Sequence, residues 1–301
     1  MKRLVLLTLS TVLVFACGQC SLSSALGAGS EIDSNKIEDL IEASGAESVA
    51  VAYYDLGTGE TFLIKPDEDF HAASTMKVPV MMEVFRQARA RKLSLDARIP
   101  VTTEFASIVD GSRYRLTVDS DDERTLYEKA GQTASLSELV RLMITLSSNL
   151  ATNILIDRVG APNVMKLMSE IGAKRIRVLR GVEDIKAYER GLNNTTTARD
   201  LMIILRRIAE RRAVSPDASD EMIRILLDQR WNESIPAGLP KEVRVAHKTG
   251  DITRVHHDAA IVYPPARKPY VLVILTRGIE DPARAHKLMA DISRTIYGSG
   301  R

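Results

Sequence analysis

Cysteine is almost absent from this 301-residue sequence, and its placement limits the chemistry open to the folded chain. The two cysteines are Cys17 and Cys20, and none follows them. From residue 21 onward the chain therefore has no disulfide, no thiolate nucleophile and no cysteine-ligated metal. The roughly 270 residues that follow the N-terminal segment are enough for one large domain, whose stability has to come from its hydrophobic core.

A surplus of charge of one sign is also missing. The sequence contains 41 Lys and Arg residues against 39 Asp and Glu residues, so its formal net charge is +2. Aromatic residues make up 5% of the chain, and no basic stripe with interleaved aromatic residues is visible. Proteins that bind nucleic acids usually concentrate positive charge on one face. We therefore expect no nucleic-acid partner.

One long apolar run stands at the N-terminus, where it has the pattern of an export signal. Lys2 and Arg3 precede an apolar stretch from Leu4 to Phe15, and small polar residues follow it. The stretch is too short to span a bilayer and is typical of a cleaved secretory segment. We predict a leader and tether over residues 1–28, one domain over residues 29–301, and a periplasmic or extracellular location.

Two alternatives remain for the processing of this leader. The stretch Val14-Phe15-Ala16-Cys17 resembles a lipoprotein cleavage box, which would attach a lipid to Cys17 and the protein to a membrane. The other alternative is ordinary signal cleavage near Ala25-Leu26-Gly27, which would leave the protein without a lipid.

The spacing of apolar residues predicts strands at both ends of the domain and helices in between. A short helix around Ile37 comes first. Strands are predicted at residues 49–55, 61–64, 243–247, 259–262 and 270–275, and helices at 75–90, 136–146, 198–211 and from about 282 onward. The simplest arrangement is an α/β (α+β) fold, in which a five-stranded antiparallel sheet carries the terminal helices and an all-helical lobe is inserted. The sheet lobe would span about 31–72 and 213–301, and the helical lobe about 73–212. A charged segment at 103–131 fits neither pattern.

Three short motifs occur in a fixed order, each at the edge of a predicted element. They are Ser74-Thr75-Met76-Lys77 at the start of a helix, Ser147-Ser148-Asn149 between two helices, and Lys248-Thr249-Gly250 at the end of a strand. A Ser-x-x-Lys sequence by itself is expected about once in a chain of this length from average composition. The ordered set of three is far more specific, and it predicts a catalytic cleft between the two lobes.

The residue types in these motifs suit nucleophilic catalysis. Ser74 would stand at the positive end of a helix, which favours negative charge developing on a substrate. Lys77 lies one turn further along the same face, within reach of the Ser74 hydroxyl. A serine needs such a base, and a lysine is a base only when burial or a nearby cation lowers its pKa. Lys248 would supply part of that positive field.

The remaining motif residues suit proton transfer and substrate binding. Ser147 is a candidate relay that carries a proton to a leaving nitrogen, and Asn149 can donate a hydrogen bond to a substrate amide carbonyl. Thr249 can bind a carboxylate, and Gly250 lets an extended ligand lie against the strand.

The ordered set resembles the signature of the class A β-lactamase family, and the resemblance extends over about residues 31–297. It implies a β-lactamase/transpeptidase-like fold, a monomer, no cofactor and a small β-lactam as substrate. It also implies that Ser74 is the acylated nucleophile, Lys77 the base or a base-assisting amine, and Ser147 the proton shuttle. Asn149 and Lys248-Thr249-Gly250 would line the substrate, and the backbone N–H groups of Ser74 and Asp251 would form the oxyanion hole.

The sequence departs from the family's pattern in two places. Ser148 stands where the family usually has an aspartate of structural importance. The glutamate that activates the deacylating water is ambiguous: counting along the chain indicates Glu183, whereas the Glu-x-x-Leu-Asn spelling falls at Glu189. We favour Glu183, and a solvated loop carboxylate at both positions is the remaining alternative.

Other polar residues have weaker claims to a function. His256 and His257 are adjacent in a predicted strand, so their side chains should point to opposite faces, and no third ligand cluster is visible. We therefore expect no metal site. Arg254 and Arg277 are candidates for pairing with a substrate carboxylate.

These observations predict a β-lactam hydrolase that acts through a Ser74 acyl-enzyme and confers β-lactam resistance. One alternative is a D-Ala-D-Ala carboxypeptidase or penicillin-binding protein, which acylates in the same way but activates water poorly. A second alternative is a non-catalytic module that binds a cell-wall ligand, although such a module would not need the nucleophile together with its proton-transfer partners.

Overall fold

The computed structural model describes Met1 and residues 32–299. The predicted leader, Cys17 and both cleavage alternatives lie outside the described residues. Within them, the strands are β1 (Ser48–Asp55), β2 (Thr61–Ile64), β3 (Phe70–His71), β4 (Arg98–Pro100), β5 (Glu104–Ala106), β6 (Arg113–Arg115), β7 (Thr133–Ser135), β8 (Thr195–Thr196), β9 (Arg244–Ile252), β10 (Val255–Tyr263) and β11 (Tyr270–Arg277). The helices are α1 (Ser34–Ser44), α2 (Lys77–Arg89), α3 (Leu136–Thr145), α4 (Asn149–Val159), α5 (Ala161–Ile171), α6 (Ile185–Glu189), α7 (Ala198–Ala209), α8 (Pro216–Leu227) and α9 (Pro282–Ser299).

A five-stranded antiparallel sheet in the order β2-β1-β11-β10-β9 forms the centre of the molecule, which confirms the predicted sheet. Successive side chains of a strand point to opposite faces. In β1, Ala50 and Ala52 accordingly pack into the core shared with the helices of the middle segment, whereas Val49 and Val51 pack into a second core beside α1 and α9. Both faces of the sheet are therefore covered.

Strand β9 extends further along the chain than the sequence predicts, and the difference concerns the third motif. Hydrophobic residues end near His247, but the ladder between β9 and β10 continues through Lys248, Thr249 and Gly250 to Ile252. The expectation that this motif ends a strand is wrong, because backbone pairing continues where the apolar pattern stops. The motif lies inside an edge strand.

The charged segment 103–131 is folded. It contains the β5–β6 hairpin and two short 3-10 turns, and β4 pairs with β7 beside it. Phe105, Leu116 and Leu126 are buried in the main core. Strands of three residues are too short to show an alternating pattern, which is why the sequence did not reveal them. Among the described residues, no helix is both long and apolar enough to cross a membrane.

Candidate active site

Ser74 lies on a short 3-10 turn, Ala73–Met76, that leads directly into α2. The N–H groups in the first turn of a helix have no partner within the helix and remain available to a ligand. Ala73 has a φ of +43°, a left-handed conformation that non-glycine residues rarely adopt. Strained backbone of this kind concentrates at functional sites. Ser74 is half-buried and lines a cleft of about 450 Å³.

Gly250 allows β9 to run close to this turn. A Cβ atom at position 250 would lie 3.0 Å from the backbone nitrogen of Ser74 and 3.1 Å from that of Thr75. Such distances are tighter than most contacts of a Cβ atom, so a side chain here would require the strand or the turn to shift by a few tenths of an ångström. The absence of a side chain thus brings β9 alongside Ser74, and Asp251, the next residue, lines the same cleft.

Lys77 is fully buried, and its amine is turned toward the second motif. Its Nζ donates to the carbonyl oxygen of Ser147 at 2.5 Å, to Ser147 Oγ at 3.1 Å and to Asn149 Oδ1 at 3.0 Å. Within the described chain no hydrogen bond joins it to Ser74. Burial, followed by the positive charge of Lys248, holds the pKa of Lys77 well below its usual range. This is the condition that a lysine base requires.

Lys248 approaches the same hydroxyl from the other side. Its Nζ lies 3.2 Å from Ser147 Oγ and donates to the carbonyl oxygen of Thr249 at 2.9 Å. Burial lowers the pKa of Lys248 to about 8. Ser147 itself has a φ of +59° in the turn between α3 and α4. Two buried amines therefore converge on one hydroxyl, that of Ser147, which lines the same cleft as Ser74.

Asp121 supplies the carboxylate that the second motif lacks, since Ser148 stands where the family usually has an aspartate. Its carboxylate accepts hydrogen bonds from the backbone N–H groups of Asn149 and Leu150, both at 2.8 Å, and from Ser148 Oγ at 3.4 Å. Ser148 Oγ in turn accepts from the backbone N–H of Ala151 at 3.2 Å, which caps α4. A negative charge thus stands at the N-terminus of α4, although the motif itself lacks the aspartate.

The two candidate glutamates occupy different places. Glu183 lines the cleft, is exposed and has a φ of +61°. The preceding residue, Val182, is fixed by Asn153, whose side chain accepts from the Val182 N–H at 2.7 Å and donates to its carbonyl oxygen at 3.0 Å. Glu189 is exposed at the end of α6 and is not among the residues that line the cleft.

Several residues of the cleft were not found from the sequence. Asp122 lines it, and its charge acts on the buried amines of both Lys77 and Lys248. Exposed apolar side chains form part of the wall, namely Ile185, Tyr188, Trp231 and Ile252. None of these positions belongs to a local motif, so only the fold brings them together.

The two candidate arginines do not line the cleft. Arg254 pairs with Glu47 at 2.6 Å, and Arg277 pairs with Glu68 at 2.6 Å. Their guanidinium groups are committed to these carboxylates, so the structure gives no support to a role in binding a substrate carboxylate. Of the third motif, Thr249 lines the cleft, and the fully buried Lys248 contacts Ser147 Oγ, which lines it too.

The two adjacent histidines face opposite sides, as expected for a strand. The Nε2 atom of His257 lies 2.9 Å from the carbonyl oxygen of His71, whereas the Nδ1 atom of His256 lies 2.8 Å from Asp251 Oδ1. The sequence shows no third ligand cluster beside them, but the fold brings His286 Nε2, from α9, to 3.2 Å from the same Asp251 oxygen. These three side chains lie together as a candidate metal-binding group.

Comparison with known proteins gives the same result as the geometry. A sequence model of the β-lactamase enzyme family matches residues 34–299. A β-lactamase of Streptomyces albus G is 28% identical over 276 residues, which cover 90% of this chain and 85% of that protein.

Solved structures agree over most of the chain. An ancestral class A β-lactamase has a TM-score of 0.76 at 25% identity, covering 88% of this chain and 98% of that one. A variant of PBP-A, solved as an acyl-enzyme complex with penicillin G, has a TM-score of 0.74 at 29% identity, covering 87% of this chain and 94% of that one. The five-stranded sheet, the serine and lysine cleft and these similarities lead to one conclusion: the chain belongs to the class A β-lactamase family of serine hydrolases.

Proposed function

We propose that this protein hydrolyses β-lactams through an acyl-enzyme formed on Ser74 and thereby confers β-lactam resistance. The observation that carries the proposal is the convergence of two buried amines, Lys77 Nζ and Lys248 Nζ, on Ser147 Oγ at 3.1 and 3.2 Å. Ser147 lines the same cleft as Ser74. A non-catalytic binding module would have no use for two partly neutralised amines beside a nucleophile.

Acylation follows from these groups. Ser74 Oγ attacks the carbonyl carbon of the lactam, and its proton passes to the neutral amine of Lys77. The carbonyl oxygen gains negative charge and is held by the backbone N–H groups of Ser74 and Asp251. The C–N bond of the ring then breaks, and Ser147 delivers a proton to the leaving nitrogen. Its hydroxyl is replenished from the Lys77 ammonium, which is already its hydrogen-bond partner.

The remaining residues position the substrate. Lys248 and Thr249 bind its carboxylate, and Asn149 donates to an amide carbonyl on its side chain. The exposed apolar residues of the wall, among them Tyr188 and Trp231, would contact an apolar substituent. In the second half of the reaction Glu183 would activate the water that releases the acyl group, and it is favoured over Glu189 because it lines the cleft.

A D-Ala-D-Ala carboxypeptidase or penicillin-binding protein is the second candidate, and one observation favours it. The carboxylates whose charges bear on the Lys77 amine are Asp121 and Asp122, not Glu183. Glu183 is also exposed, and a base that bulk water solvates positions a single deacylating water less well than a buried one would. An enzyme that acylates well and releases the acyl group slowly would behave as a penicillin-binding protein.

Mass spectrometry after brief incubation with a penicillin tests the proposal. The wild-type protein should turn the penicillin over and return to its unmodified mass, whereas Ser74→Ala should form no adduct and lose many orders of magnitude in rate. A covalent adduct on Ser74→Ala would contradict the assignment of the nucleophile. An adduct that persists on the wild type would identify a penicillin-binding protein.

We also propose that the protein is exported, on the basis of the leader sequence, and that Cys17 decides its attachment. An inhibitor of lipoprotein signal peptidase should block maturation if Cys17 carries a lipid. A mature N-terminus near Ala28 would support ordinary cleavage instead.

A further inference from the structure

Three side chains from separate elements meet at the mouth of the cleft. Asp251 comes from β9, His256 from β10 and His286 from α9. One carboxylate oxygen, Asp251 Oδ1, lies 2.8 Å from His256 Nδ1 and 3.2 Å from His286 Nε2. The possible ligand atoms of the three residues all lie within 4.8 Å of one another. We propose that Asp251, His256 and His286 form a binding site for a divalent transition-metal cation, with Zn²⁺ the best match.

The donor atoms and their spacing fit this cation. Zinc accepts imidazole nitrogen and carboxylate oxygen at about 2.0–2.2 Å, so tetrahedral ligand atoms lie about 3.3 Å apart. The separations of 2.8 and 3.2 Å from Asp251 Oδ1 to the two imidazole nitrogens are close to that value. The imidazole rings of His256 and His286 stand at 88° to one another with centroids 5.7 Å apart, so they do not stack and both can approach one cation. Two imidazoles and one carboxylate favour zinc or its neighbours over magnesium or calcium, which prefer oxygen ligands.

The burial of the three residues suits a site that is fixed on one side and open on the other. The His256 side chain is 4% exposed and held in the sheet, whereas those of His286 and Asp251 are 25% and 44% exposed. The Nε2 atom of His256 is buried and has no hydrogen-bond partner within the described part of the chain. Because Nδ1 is the nitrogen that faces Asp251, it is the His256 atom that would ligate the cation, and Nε2 would carry the proton of the ring.

The surroundings leave room for further ligands. A shallow cavity of about 620 Å³ adjoins the three residues, and Glu280 lines it as well. Three protein ligands with an open position are the arrangement of zinc sites that also bind water or an anion. Asp251 and His286 line the catalytic cleft in addition, so a cation here would stand beside the bound substrate.

Without a metal, the same group is an ion cluster. Although burial opposes it, hydrogen bonds from His256 and His286 hold the pKa of Asp251 well below its usual range, and the pKa of His286 is raised chiefly by its bond to Asp251. A cation at this place would replace the imidazole protons as the partner of the carboxylate. Metal binding and an unoccupied ion cluster are therefore the two outcomes that an experiment has to separate.

Titration of the protein, purified from an exporting host and stripped of metal with a chelator, makes this separation. Zn²⁺ uptake is measured by calorimetry, and Co²⁺ uptake is followed by the visible absorption of a tetrahedral complex. We expect one Zn²⁺ per chain, and we expect His286→Ala to weaken binding by at least ~10-fold, since even the loss of an outer hydrogen-bond partner costs about that much. Lys287→Ala, which changes the neighbouring exposed residue of α9, is the matched control and should bind as the wild type does.

His286 is partly exposed on a helix, so its replacement should leave the fold intact, and circular dichroism checks this. A chain that takes up no Zn²⁺, or a His286→Ala variant that binds as tightly as the wild type, would overturn the proposal. Because no β-lactam is present in the titration, its result does not depend on the proposed hydrolysis.

Discussion

The carboxylate of Asp121 accepts a hydrogen bond from the backbone N–H of Asn149 at 2.8 Å, although the two residues lie 28 positions apart. Asn149 is the first residue of α4 and belongs to the second motif. The same carboxylate accepts from the next N–H, that of Leu150, so it satisfies two of the donors that a helix N-terminus leaves unpaired. Asp121 thus fixes the turn that presents Ser147 to both lysines.

Replacement of Asp121 by alanine should destabilise this turn. Two backbone donors would lose a charged acceptor, and each unsatisfied buried donor costs about 1–3 kcal/mol. We expect the free energy of unfolding to fall by about 2 kcal/mol or more and the rate of acylation to fall with it. Urea denaturation followed by circular dichroism measures the first effect, and a stopped-flow assay with a penicillin measures the second. Asp119→Ala, an exposed position in the same segment, is the control and should change stability by no more than ~0.5 kcal/mol. Equal stability of the two variants would refute the role of Asp121.

The central sheet could be predicted from the sequence because its strands carry strong local signals. β1 and β11 are runs of β-branched, apolar and aromatic residues bounded by turn residues. The three motifs could also be placed, since each stands where an apolar pattern begins or ends. The ends of the strands could not be predicted as well. Strand β9 continues through the polar residues Lys248 and Thr249 because backbone pairing with β10 does not depend on hydrophobicity.

Residues whose role depends on distant partners could not be predicted. Asp121 lies in a charged segment without periodicity, and nothing local marks it as the partner of α4. His286 lies 35 residues after Asp251, on helix α9. The spacing of apolar residues in that helix indicates which face is buried but not which residue its polar face contacts. The choice between Glu183 and Glu189 had no local solution either: Glu183 precedes the short helix α6 and Glu189 ends it, and only the folded chain shows that Glu183 lines the cleft.

The pH dependence of acylation should report on the two buried lysines. Lys77 has to be neutral to accept the serine proton, and its lowered pKa makes the neutral amine available at a lower pH than in an ordinary lysine. The value of kcat/KM should therefore rise with pH as Lys77 loses its proton. It should fall again near pH 8 as Lys248, with a pKa of about 8, loses the charge that binds the substrate carboxylate.

Two variants separate these limbs of the profile. Lys248→Ala removes a positive neighbour, so the pKa of Lys77 should rise, the acid limb should move to higher pH, and the limb near 8 should disappear. Lys77→Arg should acylate no faster than Lys77→Ala at any pH, because a guanidinium remains protonated and cannot act as a base. An alkaline limb that persists in Lys248→Ala would show that another group causes it. Near-wild-type acylation by Lys77→Arg would remove Lys77 from the role of base.

Gly250→Ala should impair acylation because of the close contact between β9 and the nucleophile. The added Cβ would stand 3.0 Å from the backbone nitrogen of Ser74, so the strand or the turn has to shift by a few tenths of an ångström, which disturbs the N–H groups of Ser74 and Asp251 that we propose as the oxyanion donors. We expect kcat/KM to fall by at least ~10-fold, less than the loss of a complete oxyanion donor. Gly298→Ala in α9, where a Cβ meets nothing within 4 Å, is the matched control and should leave the rate unchanged. Gly250→Ala acylating at the wild-type rate would show that β9 is not the wall of an oxyanion hole.

The fate of the acyl-enzyme decides between a β-lactamase and a penicillin-binding protein. If Glu183 activates the deacylating water, Glu183→Ala should acylate normally and then stall, so that an adduct on Ser74 accumulates and is visible by mass. Its kcat should fall by at least ~10², the usual contribution of a positioned general base. Glu189→Ala should turn over at nearly the wild-type rate, because that side chain lies outside the cleft.

Asp184 could not replace the missing carboxylate without leaving its own partners, since it accepts from Ser107 Oγ at 2.8 Å and caps α6. Stalling of Glu189→Ala with free turnover of Glu183→Ala would reverse the two assignments, and a wild type that stalls by itself would favour the penicillin-binding protein.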